Sequence, residues 1–305
     1  MPKHFLTGAE LQPNELAAII NRAADLKANR EAGADHRGAL AAKTVALIFD
    51  RPSTRTRMSS EVAVYELGGH PMVLSGDAMQ LSRGESLKDT ALVTSRFAHA
   101  IGIRTGPHET VERLAEYASI PVFNLLTRDH HPMQALADLL TIQQRFGELE
   151  GRRLAYVGDG NNVTASLMVL GAMAGMQIAV ATPENFEPDA EAVALAESVA
   201  TAGGAIELTN DPAEAAFDAE AVYTDVWVSM GEEDSGTKKA ILQPFQLSGE
   251  LLAHAKADAI ALHCLPAHVG EEITEDALYG PRSAIFDQAE NRLHVQKALL
   301  EYLLS

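Results

Sequence analysis

The chain is predicted to be an α/β protein of two doubly wound parallel-sheet domains with an active-site cleft between them, and three features of its sequence predict this. Short apolar runs suited to buried strands alternate with amphipathic runs at helical spacing, the pattern of βαβ units. The rhythm runs once through the first half, is interrupted by a long helix-spaced segment, and starts again. The 305 residues suffice for two domains of ordinary size, and 47% hydrophobic content with 5% aromatics suits cores of Leu, Ala, Val and Ile.

Apolar residues at Leu16, Ile19, Ile20, Ala23 and Leu26 recur at helical spacing after Pro13-Asn14, which predicts an opening amphipathic helix. KTVALIFD (43–50) then reads as a buried strand, PSTRTRMSSEVAVYEL (52–67) as a helix and PMVLS (71–75) as a strand. SLKDTALVTSRFA (86–98) reads as a helix, AIGIRT (100–105) as a strand, HETVERLAEYA (108–118) as a helix and PVFNLL (121–126) as a strand. The segment 131–149, HPMQALADLLTIQQRFGEL, is a long helix that bridges the domains. Beyond it RRLAYVGD, NVTASLMVLGAMAG, MQIAVATP, a helix at 189–201, AIELT, AVYTDVWV, a helix near 240–254 and AIALHCLP repeat the alternation. The tail AENRLHVQKALLEYLL predicts a terminal helix. The expected division is 1–134 for the first domain, with the helix at 288–305 packing back on it, and 135–287 for the second.

With 24 Lys and Arg against 42 Asp and Glu the formal charge is -18, so an extended nucleic-acid surface or an anionic membrane would be repelled. One cysteine, Cys264, precludes an intramolecular disulfide and a Cys-rich metal framework, and fits a reducing compartment. The N-terminal segment lacks the marks of a leader or transit peptide, and no run approaches a membrane span. The expected location is the cytoplasm.

Against this acidity, FDRPSTRTR (49–57) gathers Arg51, Ser53, Thr54, Arg55, Thr56 and Arg57. It lies where a strand ends and a helix begins, with Pro52 placed for the first helical turn. Helix-terminal N–H groups, hydroxyls and guanidinium groups together suit a phosphate. The competing reading is a capped helix start with solvated arginines. The stretch is no P-loop, and GDGNNV (158–163) has Val163 where a dinucleotide fingerprint wants its third glycine. Asn161 and Asn162 suit a polar ligand, or a plain turn. Arg104 ends a strand at the same sheet edge as the cradle. His131 and Gln134 lie one helical turn apart and can aim at one group, whereas the adjacent His130 and His131 do not share a face, which argues against a metal. Asp225, Ser229 and Cys264 close strands of the second domain and suit a cationic amine; a thiol so placed is otherwise an inert core group.

FDRPSTRTR, MQLSRGESLKD, IRT, HPMQALADLLT, GDGNN, DVWVSMG, HCLPAH and ENRLH occur in the order seen in ornithine carbamoyltransferases, and the resemblance spans nearly the whole chain. STRTR and HPxQ mark carbamoyltransferases in general; DVWVSMG with HCLP resembles the ornithine branch. The resemblance implies transfer of a carbamoyl group from carbamoyl phosphate to L-ornithine, with no cofactor and no metal, in a homotrimer or an assembly of trimers. It implies that Ser53, Thr54, Arg55 and Thr56 hold the phosphate, and that Arg104, His131 and Gln134 contact the phosphate or the carbamoyl carbonyl. Gln80 would reach a neighbouring subunit's site. Cys264, Leu265 and Arg292 complete the reacting end, and Asn162, Asp225, Ser229 and Met230 the ornithine contacts. Arg55, Arg104, His131 and Cys264 are the expected catalytic groups. Two departures from many relatives, Met133 in HPMQ and Val269 after HCLPAH, alter local packing and loop charge. Transfer to putrescine or an acylated ornithine, or a non-catalytic phosphate-binding paralogue, are the rival readings.

Overall fold

The computed structural model describes residues 2–228 and 236–305. Its contacts divide the chain into two compact units, Met1–Leu140 with Glu290–Ser305, and Thr141–Ala289. Both are α/β, and in both every strand pair is parallel.

In the first unit, helix α1 (Pro13–Glu31) starts with Pro13 in its first turn and a capping box between Gln12 and Glu15. It buries Leu16, Ile19, Ile20, Ala23 and Leu26, the face its periodicity predicts. There follow β1 (Thr44–Phe49), α2 (Arg55–Glu66), β2 (His70–Ser75), α3 (Leu87–Phe97), β3 (Ala100–Arg104), α4 (His108–Tyr117), β4 (Val122–Leu126) and α5 (Pro132–Phe146). The strands order as β2-β1-β3-β4. The direction of winding reverses between β1 and β3, whose last residues Phe49 and Arg104 are register partners. Ligands of such sheets bind at this reversal, outside the carboxyl ends of the strands. Ile48, Ile101 and Ile103 pack with Ala91, Val111, Leu114 and Val122 beneath it.

Two local readings are corrected. Helix α2 begins at Arg55 with Thr54 as its cap, so Pro52 precedes the helix and does not occupy its first turn. The backbone explains this: Asp50 N still donates to Arg104 O (3.0 Å), and the first helical bond runs from Met58 N to Thr54 O (2.9 Å). Between β2 and α3 lie two 3₁₀ turns, Gly76–Ala78 and Gln80–Arg83, which no periodicity announced. Glycine at 76 lets the chain approach Asp50, since a Cβ would lie 2.1 Å from its Oδ1 and 3.0 Å from its Cα and would displace that carboxylate.

The second unit holds β5 (Arg153–Val157), α6 (Asn162–Met173), β6 (Gln177–Ala181), α7 (Ala190–Val199), β7 (Ala205–Thr209), α8 (Pro212–Ala216), β8 (Ala221–Thr224), α9 (Gly236–Leu242), α10 (Gly249–Leu252), β9 (Ile260–His263) and α11 (Glu275–Tyr279). Its order is β7-β6-β5-β8-β9, with the reversal between β5 and β8. Helix α6 is buried at every position from Val163 to Met173, as suits a sequence apolar all round apart from the small hydroxyls of Thr164 and Ser166. The single helix expected near 240–254 is instead α9, a 3₁₀ turn at Gln243–Phe245 and α10. Pro244 supplies no N–H to a helical ladder, and Ser248 Oγ restarts the helix by accepting from Leu251 N at 3.2 Å. Finally α12 (Ile285–Leu304) begins in the second unit and contributes its residues from Glu290 onward to the first. There Arg22 and Glu301 pair at 2.6 Å, and Tyr302 donates to Glu15 at 2.7 Å. Among the described residues no helix is long and apolar enough to cross a membrane.

Candidate active site

At the reversal of the first sheet the sequence delivers four segments: the β1–α2 connection, the end of β3, the start of α5 and, 236 residues beyond Thr56, the side chain of Arg292 on α12. Arg292 joins two of these segments. Nη2 donates to Thr56 Oγ1 at 2.8 Å and Nη1 to Gln134 Oε1 at 3.0 Å. All three side chains are buried, and so are Arg104 and His131.

His131 is the electrostatic centre of this group. Burial, and then the positive charges of Arg292, Arg104 and Arg55, push its pKa well below that of an ordinary histidine. It is therefore neutral at physiological pH, able to donate from one ring nitrogen and accept at the other. The charges of three guanidiniums, carried on three different elements, act on one neutral imidazole. Such a concentration of like charge suits an anion between them.

The arginines of FDRPSTRTR divide their work. Arg55 stands among the groups around His131. Arg57 is exposed and pairs with Glu61 on the outer face of α2 at 2.6 Å, so it belongs to the solvated surface. Arg51 runs beside Gly106, where a Cβ would lie 3.2 Å from its Nη2. Ser53 is half-buried and Thr54 exposed, and the side chain of Thr54 makes no capping bond, which leaves the first-turn N–H groups of α2 suited to an anion. Gln80 is exposed on the second 3₁₀ turn and among the described residues takes no part in the Arg292 bonds. Met133 is fully buried and Val269 is half exposed.

The second unit has its own cluster at its own reversal. Asp225, just beyond β8, is buried and accepts from Cys264 Sγ at 2.8 Å on Oδ1 and from Asn161 Nδ2 at 2.8 Å on Oδ2. Asn161 also caps α6, its Oδ1 accepting from Val163 N (2.9 Å) and Thr164 N (3.3 Å). It thus ties the carboxylate to a helix terminus. Asn162 opens the helix beside it. Leu265 has a left-handed backbone, φ 59°, and the peptide to Pro266 is cis. Its N–H donates to His263 Nδ1 at 2.8 Å, which places the imidazole proton on Nε2, 3.1 Å from Glu272 Oε1. Burial raises the Glu272 pKa, but the bonds from His263 and from the His268 N–H outweigh it and hold the group below the usual carboxylate range. Ser229 and Met230 lie outside the described residues.

Asp225, His263 and Cys264 have ligand atoms within 4.8 Å of one another, a spacing a metal ion could use. Both ring nitrogens of His263 are already engaged, one by Leu265 N and one by Glu272, so metal binding there would cost the loop its hydrogen bonds.

Asp138, Asn161 as a tether, His263 and Glu272 were not singled out from the sequence. A carboxylate four residues after Gln134 on an apolar helix was the available signal for the first. The other roles depend on contacts between segments far apart in the chain.

Two family models match the chain: the carbamoyl-phosphate-binding domain of aspartate/ornithine carbamoyltransferases over residues 3–144, and their Asp/Orn-binding domain over 150–303. An ornithine carbamoyltransferase of Acidothermus cellulolyticus is 52% identical over 100% of this chain and 97% of its own length. That of Thermococcus kodakarensis is 49% identical over 95% and 92%. Among solved structures, the ornithine carbamoyltransferase of Pyrococcus furiosus superposes with a TM-score of 0.94 at 46% identity, covering 98% of this chain and 96% of that one. The Thermus thermophilus enzyme gives 0.89 at 44%, covering all of both. Identity at this level over the full length, on a fold with a polar cluster at each sheet reversal, establishes that the chain belongs to the aspartate/ornithine carbamoyltransferase family.

Proposed function

We propose that this chain is an ornithine carbamoyltransferase, which transfers the carbamoyl group of carbamoyl phosphate to the δ-amine of L-ornithine and releases L-citrulline and phosphate, a reaction of arginine metabolism. The observation that carries the reading is the buried Arg292 fork that joins Thr56 of the STRTR run to Gln134, one turn beyond His131, at the reversal of the first sheet, with the charges of Arg104 and Arg55 acting on the same histidine. A doubly charged phosphate needs guanidinium partners, and a carbonyl developing negative charge needs a fixed donor.

In this reading the first unit binds carbamoyl phosphate, through Ser53, Thr54, Arg55, Thr56, Arg104, His131, Gln134 and Arg292. The second binds ornithine, through Asn162, Asp225, Ser229 and Met230, with Cys264 and Leu265 at the reacting end. The neutral δ-amine attacks the carbamoyl carbon, a C–N bond forms, and the C–O bond to phosphate breaks with the electron pair leaving on phosphate. The amine proton departs to solvent or to the leaving phosphate. Each donor aimed at the developing oxyanion contributes about 3 kcal/mol to the barrier reduction, by analogy with other oxyanion sites. Asp225, held on both oxygens by Asn161 and Cys264, is a fixed negative partner for an ammonium group.

A trimer is part of the proposal. Met58, Val62 and Tyr65 of α2 leave an apolar stripe exposed, at 63%, 37% and 63%, which a second copy would cover. The exposed Gln80 would then serve a neighbouring copy. The proposed location is the cytoplasm, whose reducing chemistry suits Cys264.

The test is citrulline formation from carbamoyl phosphate and ornithine, with putrescine and N-acylornithine as alternative amines. Parent enzyme should carbamoylate ornithine by preference, and Arg55→Ala should lose nearly all activity as a folded oligomer. Preference for another amine, or near-normal activity of Arg55→Ala, would overturn the reading.

A further inference from the structure

The turn between β9 and α11 carries a group of metal-ligating side chains that carbamoyl transfer leaves unused. His268, Glu271 and Glu272 each bring one ligand atom within 4.8 Å of the other two. The backbone gathers them. Glu271 N donates to His268 O at 2.9 Å and Gly270 N to Ile273 O at 2.9 Å, with φ 90° at Gly270 between them, a left-handed position that glycine takes without steric cost. The rest of the second unit grips this turn, Leu247 N donating to Glu272 O at 2.8 Å and Gln246 Nε2 to Glu271 O at 2.6 Å. The three side chains are therefore mounted on a fixed backbone.

Glu272 supplies the observation that points to a cation. Its side chain is fully buried, and Oε1 accepts from His263 Nε2 at 3.1 Å and from His268 N at 2.5 Å. Oε2 is buried as well and makes no hydrogen bond among the described residues. It stands 3.5 Å from His268 Nδ1. A buried carboxylate oxygen without a donor is costly. Two ligands of one tetrahedral zinc ion, each about 2.1 Å from the metal, lie about 3.4 Å apart, which matches this pair. Glu271 is the third ligand. It is partly exposed and pairs with Lys239 Nζ at 2.9 Å, a surface pair of little strength that a divalent ion displaces. The turn itself, 267–273, contains no Lys or Arg.

We propose that His268, Glu271 and Glu272 bind one divalent transition-metal ion of the zinc class, outside the groups assigned to the substrates. One imidazole with two carboxylates suits zinc or cobalt, whereas magnesium and calcium take oxygen ligands. Three protein ligands leave the fourth position of a tetrahedron to water. The rival for such an ion is the group of Asp225, His263 and Cys264, which would have to take the His263 ring from Leu265 N and Glu272. Among the described residues the His268 ring has only its 3.5 Å approach to Glu272 to exchange. The ion braces the turn that follows Cys264 and Leu265, takes no part in the reaction, and stabilises the folded chain by mass action. The site stands whichever amine the enzyme accepts.

The test titrates the full chain, stripped by a chelator and carrying no histidine tag, with Co²⁺ as the spectroscopic stand-in for Zn²⁺. One Co²⁺ per chain should bind with visible d–d absorption and without a thiolate-to-metal charge-transfer band. An equal concentration of Zn²⁺, but not of Mg²⁺, should displace it. His268→Gln and Glu271→Gln, at exposed and partly exposed positions and checked for folding by circular dichroism, should each weaken binding at least about tenfold, since groups that merely orient a metal ligand are already worth that much. Val269→Arg, which sets a fixed cation in the turn, should weaken it as well, and Cys264→Ser should leave the affinity within twofold. A charge-transfer band, or loss of binding in Cys264→Ser, would assign the ion to Asp225, His263 and Cys264 and overturn the proposal. Full binding by His268→Gln or Glu271→Gln would overturn it too. So would no binding by the parent, the result expected if His268 is an imidazolium paired with Glu272.

Discussion

Replacing Arg292 with Met tests the first cluster at its most connected point. The guanidinium is buried, donates to Thr56 Oγ1 at 2.8 Å and to Gln134 Oε1 at 3.0 Å, and is the charge that acts most strongly on His131. Each bond from a charged donor contributes about 1.5 to 3 kcal/mol. The two acceptors lie in one network, so their loss is not additive, and about 3 kcal/mol in transition-state binding is the working figure. That corresponds to a fall of roughly 100-fold in kcat/KM for carbamoyl phosphate. Met nearly matches the volume but leaves Thr56 Oγ1 and Gln134 Oε1 without their donor, so the thermal midpoint falls as well and the rates are compared at a temperature where both proteins are folded. The assay is initial-rate citrulline formation, joined to an NMR titration of isotope-labelled histidine. With one of three neighbouring cations gone, the His131 pKa rises. Arg292→Lys keeps the charge without the fork, so it should leave His131 low and still lose activity. A kcat/KM for Arg292→Met within threefold of the parent, or a His131 titration that does not move, would refute the reasoning.

Two further outcomes follow from other contacts. Asp225→Ala removes the acceptor shared by Asn161 and Cys264, and should raise the ornithine KM at least about tenfold while leaving that of carbamoyl phosphate near its parent value; an unchanged ornithine KM, in steady-state kinetics varying each substrate, would defeat the assignment. His294 is lowered to about 4, chiefly by burial, which the bond to Glu290 only partly offsets. The unfolded chain therefore binds a proton between pH about 6.5 and 4 that the folded chain refuses, and stability falls as the pH falls through that window, by up to about 3 kcal/mol from this residue. Denaturant melts at pH 7 and 4.5 should show a smaller loss for His294→Gln than for the parent, and an equal loss would exclude His294 as a source.

What could be read in the sequence follows from how local each signal is. Val45 to Phe49, Ala100 to Ile103 and Leu154 to Val157 are continuous buried apolar runs, because strands covered on both faces are near-continuously apolar. Chain-local pattern therefore found them. The start of α2 was misplaced because Pro52 is compatible with both a loop and a first turn, and the choice was made by Asp50 continuing the ladder to Arg104. The break at Pro244 was readable in principle, since a proline inside a helical pattern ends or kinks it. The 3₁₀ turns were not: they are too short to show a period, and the first begins where Gly76 approaches Asp50, 26 residues back in the chain.

The binding cluster shows the same division at higher stakes. FDRPSTRTR advertises an anion site, yet of its three arginines only Arg55 stands among the groups that lower the His131 pKa, and Arg57 spends its charge on Glu61. The remaining two guanidiniums come from Arg104, whose strand end lies at the same sheet edge as the cradle, and from Arg292, which its own segment does not mark. Dispersal has a physical reason. Cations crowded on one short loop can separate by moving the loop, whereas cations mounted on a strand end and two helices are held close against their repulsion by the packing of those elements. A site that keeps its charges converging without reorganisation stabilises a phosphate and a developing oxyanion better than flexible arginines could. The same mounting conceals the Arg292 bonds from any reading of neighbouring residues. Arg292 illustrates both halves of this: α12 carries it into the first unit, and the Arg292–Thr56 bond then orients a hydroxyl of the very motif whose spare charge first drew attention.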